Sequence, residues 1–147
     1  MEAGMRRLGI SFILGAAFVS GCGTVDLGPT PADINTCRPS QQFFYQRVWP
    51  EFIDKDHGGK KCSDARCHDA SSGREMIVVT PTSAATLPLP EDWMRVYRSV
   101  TGQLQCTSIA ESPLLARADG RKTHGGGKLV EPGGPESVLL RMWAEAK

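Results

Sequence analysis

The sequence has no run of like charge to offer a polyanion. Its 17 Lys and Arg face 16 Asp and Glu, for a net charge of +1, so no nucleic-acid partner is expected. A bilayer-crossing helix needs about 20 apolar residues, and the apolar stretch Leu8 to Val19 is too short to be one. Phosphate-loop chemistry lacks its motif: Gly125-Gly126-Gly127-Lys128 would need a glycine where Lys122 stands and a hydroxyl residue where Leu129 stands. No nucleophile-elbow motif arranges the serines, so nothing points to a hydrolase, and the chain is not expected to be an enzyme.

What is present starts with length and turn residues. The chain has 147 residues, enough for one domain, and its 16 Gly and 10 Pro predict a loop-rich fold with short elements. The N-terminus sets the compartment. Met5-Arg6-Arg7 is a basic n-region, although Glu2 is unusual there and would suit a start at Met5. Leu8 to Val19 is an apolar h-region, and Val19-Ser20-Gly21-Cys22 follows it. This resembles a bacterial lipoprotein signal peptide with its lipobox. The resemblance implies removal of residues 1–21 and acylation of Cys22 with chains such as palmitate, which together hold a protein on a membrane without a spanning helix. Gly23 after the Cys favours the outer membrane of the cell envelope by the same analogy. Residues 22–36 have little apolar periodicity and read as a tether, with a domain over 37–147.

Cys62-Ser63-Asp64-Ala65-Arg66-Cys67-His68 concentrates two thiols and an imidazole in one short run. A Cys-His pair with a second Cys just before it is the arrangement that attaches a c-type haem. The thiols form thioethers with the porphyrin vinyls, and the adjacent imidazole ligates the iron. Four residues separate these cysteines where the common form has two, so the extra residues must bulge outward. If haem takes Cys62 and Cys67, then Cys37 and Cys106 remain to pair in an oxidising compartment. Without haem, four cysteines allow three pairings, Cys62–Cys67 among them. A third option is zinc, held by Cys62, Cys67 and His68 with Cys37, Cys106 or His124 as fourth ligand.

Several segments have helical signals. Pro39 and Ser40 start a helix carrying Phe43, Phe44, Arg47 and Val48, with Pro50 kinking or ending it before Phe52 and Ile53. The loop after it places His57 among charged residues, where it reads as solvated. Met76 to Val79 is a short β-prone run, and Pro81 to Pro90 cannot form a long regular element. Glu91 to Val100 is helical, with Trp93, Val96, Tyr97 and Val100 on one face. Pro113 to Ala118 is a short helix capped by Ser112. Glu136 to Ala146 is the clearest helix, with a stripe of Val138, Leu139, Met142 and Trp143.

Together, Val48-Trp49-Pro50-Glu51-Phe52, the Cys-x4-Cys-His run, Val96-Tyr97-Arg98-Ser99-Val100 and Pro132-Gly133-Gly134-Pro135-Glu136-Ser137-Val138-Leu139-Leu140 resemble the small cytochrome c-like domains of bacterial envelope lipoproteins. The resemblance implies a mainly α fold whose first and last helices cross near one haem edge. It gives Cys62 and Cys67 as thioether cysteines, His68 as proximal ligand, and electron-transfer partners or an envelope assembly as partners. Such domains commonly supply a Met as sixth ligand from a loop after the middle helix, but no Met lies between Val100 and Met142. His124, which opens a His-Gly-Gly-Gly run, joins Met76, Met94 and Met142 as candidates. The alternative is a haem-free, disulfide-stabilised structural lipoprotein of a secretion, adhesion or motility assembly.

Overall fold

In a computed structural model of the chain, residues 37–64 and 66–146 are described. The expected signal peptide, Cys22 and the expected tether lie outside the described residues. Helix α1, Gln41–Phe43, runs directly into a π-helical stretch, Phe44–Ile53. Helix α2 is Glu91–Thr101, a 3-10 turn covers Ile109–Glu111, α3 is Pro113–Ala118 and α4 is Pro135–Glu145. The described residues contain no strand, so the fold is mainly α with long loops.

Ser40 starts the first helix as its residue type suggests, its hydroxyl accepting from the Phe43 amide at 3.2 Å. Pro50 neither ends nor interrupts the helical path. An α-helical turn would bring its ring against the carbonyl four residues earlier, whereas here the turns are wider and the Asp54 amide reaches back five residues to the Trp49 carbonyl at 2.8 Å. Phe44, Val48, Trp49, Phe52 and Ile53 are all buried.

The first and last helices meet through Phe44 and Trp143, whose ring centres lie 5.3 Å apart. Phe44 also meets the edge of Tyr97 at 5.5 Å, which brings α2 into the same cluster. Ser40 ties the two ends together. Its carbonyl accepts from Trp143 Nε1 at 3.2 Å, and its amide donates to the Ala146 carbonyl at 2.9 Å. A disulfide joins Cys37 to Cys106 across 69 positions of sequence.

Three local expectations are corrected. The Met76–Val79 run forms no strand, because the Ile77 amide donates to Ser99 Oγ at 2.6 Å and the Val78 amide to the His68 carbonyl at 2.6 Å, which leaves no ladder to join. Ser112 precedes α3, but its buried hydroxyl does not cap the helix and instead accepts from the Gln105 amide at 2.8 Å. On α4 the buried face is Ser137, Leu139, Leu140 and Trp143, while Val138 and Met142 are exposed. The apolar residues of α4 span too wide an arc for periodicity to choose among them, and contact with Phe44 sets the rotation.

Candidate functional site

The Cys62–His68 run is a compact turn built by Asp64. The Asp64 carboxylate accepts from the Lys61 amide at 2.7 Å, and its carbonyl accepts from the Cys67 amide at 2.7 Å. A residue that reads as a spacer therefore organises the segment. Cys62 is buried and Cys67 half-buried, and both are free thiols. Burial, with smaller contributions from the nearby Cys67 and Asp64, pushes the Cys62 thiol up to about 12, so it stays protonated at neutral pH.

His68 is held from the next segment. Its Nδ1 lies 2.9 Å from the Met76 carbonyl. A carbonyl only accepts, so Nδ1 carries the proton and Nε2 keeps its lone pair. The support continues inward: Met76 and Val78 flank Ile77, whose amide is fixed by Ser99 on α2. Desolvation of the half-buried ring lowers the His68 pKa against the Met76 bond, which favours the neutral imidazole.

His124 reaches the same place from the other side of the chain. The Leu129 and Val130 amides donate to the Ala118 carbonyl at 2.8 and 3.1 Å, which straps residues 120–130 back over α3. Within this strap the Gly127 amide closes a turn on the His124 carbonyl at 2.9 Å. The His124 Nδ1 donates to the Gly127 carbonyl at 3.2 Å, and Lys60 Nζ ties the turn down through the Gly126 carbonyl at 2.9 Å. Gly126 lies directly against the imidazole; a Cβ there would sit 3.1 Å from His124 Cε1.

The two imidazoles are nearly parallel, with planes 18° apart and ring centres 5.9 Å apart. Neither Nε2 has a hydrogen-bond partner among the described residues. Both rings line a cavity of about 1030 Å³ whose wall also carries Cys67, and both line a smaller apolar slot that carries Cys62, Phe52, Leu114 and Leu129.

Comparison of the chain with protein families, curated proteins and solved structures finds no match.

Of the site residues read from sequence, Cys62, Cys67, His68 and His124 gather around these two cavities, and Cys37 and Cys106 bond to each other elsewhere. The Cys62–Cys67 pairing is not formed. The disulfide also removes Cys37 and Cys106 as fourth ligands for zinc, and no group of three or more His, Cys, Asp or Glu side chains placed for a metal occurs among the described residues. Among the methionines, Met76 is buried and lines both cavities, Met94 packs against the core, and Met142 is exposed on α4. His57 departs from its solvated reading: it is half-buried, bonds the Phe52 carbonyl at 2.8 Å and meets the Phe52 ring at 5.3 Å. Arg74 and Arg117, which line the large cavity, carried no signal in the sequence beyond their charge.

Proposed function

We propose that this chain is a lipid-anchored monohaem c-type cytochrome-like protein that carries single electrons at the cell envelope rather than an enzyme. The observation that carries the reading is the pairing of His68 with His124. The rings are stacked with centres 5.9 Å apart, which brings two imidazoles from distant parts of the chain to one place; to hold one iron they would turn edge-on, so that their in-plane Nε2 lone pairs point at it. Each ring keeps Nε2 for ligation while a backbone carbonyl orients it through Nδ1, a common support for a ligating histidine.

The remaining donors fit the same group. Cys62 and Cys67 are free thiols bordering the two cavities, so both are available for thioether bonds, and the residues around the slot give an apolar wall. Bound haem supplies a one-electron couple, which two imidazoles hold at a lower potential than an imidazole and a thioether do. The chain fixes His68 from the Met76–Val78 segment, keeps it neutral by burial, and presents His124 on the glycine turn. The Phe44–Trp143 contact between first and last helices supports a cytochrome c-like fold. The lipobox resemblance supports a lipid anchor, Gly23 after Cys22 favours the outer membrane, and an electron carrier there calls for redox proteins as partners.

Free thiols at Cys62 and Cys67 favour this reading over the haem-free structural lipoprotein, which needs those cysteines cross-linked. The test is an absorption spectrum of protein made with haem-attachment machinery present. We expect Soret absorbance that survives acid-acetone extraction and is lost in Cys67→Ser. A colourless protein with no free thiols would overturn the reading.

A further inference from the structure

The two members of the histidine pair are held very differently. His68 is fixed twice by one segment: its Nδ1 donates to the Met76 carbonyl at 2.9 Å, and its own carbonyl accepts from the Val78 amide at 2.6 Å. Ser99 on α2 ties that segment down through the Ile77 amide. His124 instead rides on a lightly held turn. The Lys122 and Leu129 amides on either side of it are pinned to the Ala116 and Ala118 carbonyls at 2.7 and 2.8 Å. Between those two pins, the bond from Lys60 Nζ to the Gly126 carbonyl, at 2.9 Å, is the one hydrogen bond that joins residues 123–127 to another part of the chain among the described residues.

Lys60 comes from a well-braced loop. The His57 amide donates to the Lys60 carbonyl at 2.8 Å, and His57 Nε2 donates to the carbonyl of buried Phe52 at 2.8 Å. The turn it holds has more freedom: Gly125, Gly126 and Gly127 follow His124, and a Cβ at Gly125 or Gly127 would meet nothing within 4 Å. Because His124 Nδ1 donates to the Gly127 carbonyl, ring and turn move together. They have to move for the site to fill. A flat molecule between two rings needs a contact of about 3.5 Å on each face, about 7 Å in all, whereas the ring centres stand 5.9 Å apart. Turning edge-on to a metal likewise takes His124 out of its stack.

We propose that residues 123–127 form a lid on the large cavity, with His124 as its inner face, and that Lys60 is the positioning residue that latches it shut. The lid rests on the arrangement of the two histidines alone; its use as the gate for a flat cofactor rests on the haem reading above. Opening takes His124 off His68 and removes one wall of the apolar slot in which Cys62 is buried. His68 stays in place throughout, so the imidazole on the glycine turn is the one that closes last on an occupant.

The test uses the mature chain made without haem and purified without reductant. Iodoacetamide alkylation of Cys62, timed by mass spectrometry, reports how often the lid stands open. Lys60→Met keeps the stem and loses the ammonium; its Cys62 should react about two- to tenfold faster, the range set by one lost hydrogen bond. Loss of a nearby cation would by itself raise the thiol pKa and slow the reaction, so faster alkylation reports opening rather than charge. Lys60→Arg, which still donates to the carbonyl, should match wild type. Nuclear Overhauser contacts between the His68 and His124 rings should weaken in Lys60→Met alone, with the urea midpoint unchanged. Equal Cys62 rates or unchanged ring contacts in Lys60→Met would overturn the lid, as would a fall in urea stability that matches the acceleration. An acceleration in Lys60→Arg as large as in Lys60→Met would overturn the latch. A wild type with no thiol to alkylate at Cys62 and Cys67 would instead remove the haem reading, and the ring contacts would then decide the lid.

Discussion

Gly126 shows how tightly one residue can control the site. Its hydrogen occupies the space beside the His124 ring, and a methyl group in its place would approach Cε1 to 3.1 Å and Nδ1 to 3.3 Å. Gly126→Ala should therefore displace the imidazole by a few tenths of an ångström. In solution this is read as altered nuclear Overhauser contacts between the two rings; contacts identical to wild type would show that the turn absorbs the methyl group. Cys62 offers a second residue-scale test. Its folded pKa of about 12 lies above the ordinary thiol value of about 8.5. The stability gained from the protonated thiol is thus fully present below the ordinary thiol range and is lost as pH rises through about 12. In chain made without haem, iodoacetamide at pH 8 should alkylate half-buried Cys67 well before Cys62, and urea should erase the difference; mass spectrometry of timed samples follows both. The Cys-Cys-His run was legible from residue type alone, and His124 was one of four candidates for the second ligand. Arg74 and Arg117 were not legible, because an arginine in a loop or on a short helix looks the same in sequence whether it faces solvent or a cavity.

At the scale of elements, Phe44 is the common member of the contacts joining the first helix, α2 and α4. It is fully buried, with Tyr97 at 5.5 Å and Trp143 at 5.3 Å. Removing its ring leaves a void between three helices, so Phe44→Ala should cost about 3–5 kcal/mol in urea unfolding. Helices α2, α3 and α4 were readable from periodicity and from prolines at their starts, and the buried face of α2 was read correctly as Trp93, Val96, Tyr97 and Val100. The rotation of α4 was not readable. Five apolar residues from Val138 to Trp143 surround much of its circumference, and packing against Phe44 selects Leu139, Leu140 and Trp143. The π register around Pro50 was also hidden, because a proline in a helical pattern signals a break unless the turns can widen.

For the whole molecule, the Cys37–Cys106 bond matters more than its distance from the cavities suggests. It closes a loop of 69 positions and anchors the start of the described chain to the loop between α2 and α3. Constraining so long a loop in the unfolded chain stabilises the fold by about 2–4 kcal/mol. Cys37→Ser/Cys106→Ser should lower the unfolding free energy by that amount in urea titrations, and a reductant should do the same to the native protein while leaving the variant unchanged. Sequence left three pairings open for the four cysteines; proximity in the fold selected one.

The sequence by itself determined the identity and spacing of the reactive groups, the helical segments with one clear apolar face, and the balance of charge. These are properties of residues within a few positions of each other, so local chemistry and periodicity are enough to expose them. Only the tertiary structure decided that His124, rather than Met94 or Met142, stands beside His68, that Cys37 bonds Cys106, and that unpaired arginines line the cavity. Each of those outcomes joins segments far apart in the chain, and their meeting depends on how the helices and the strap over α3 pack together.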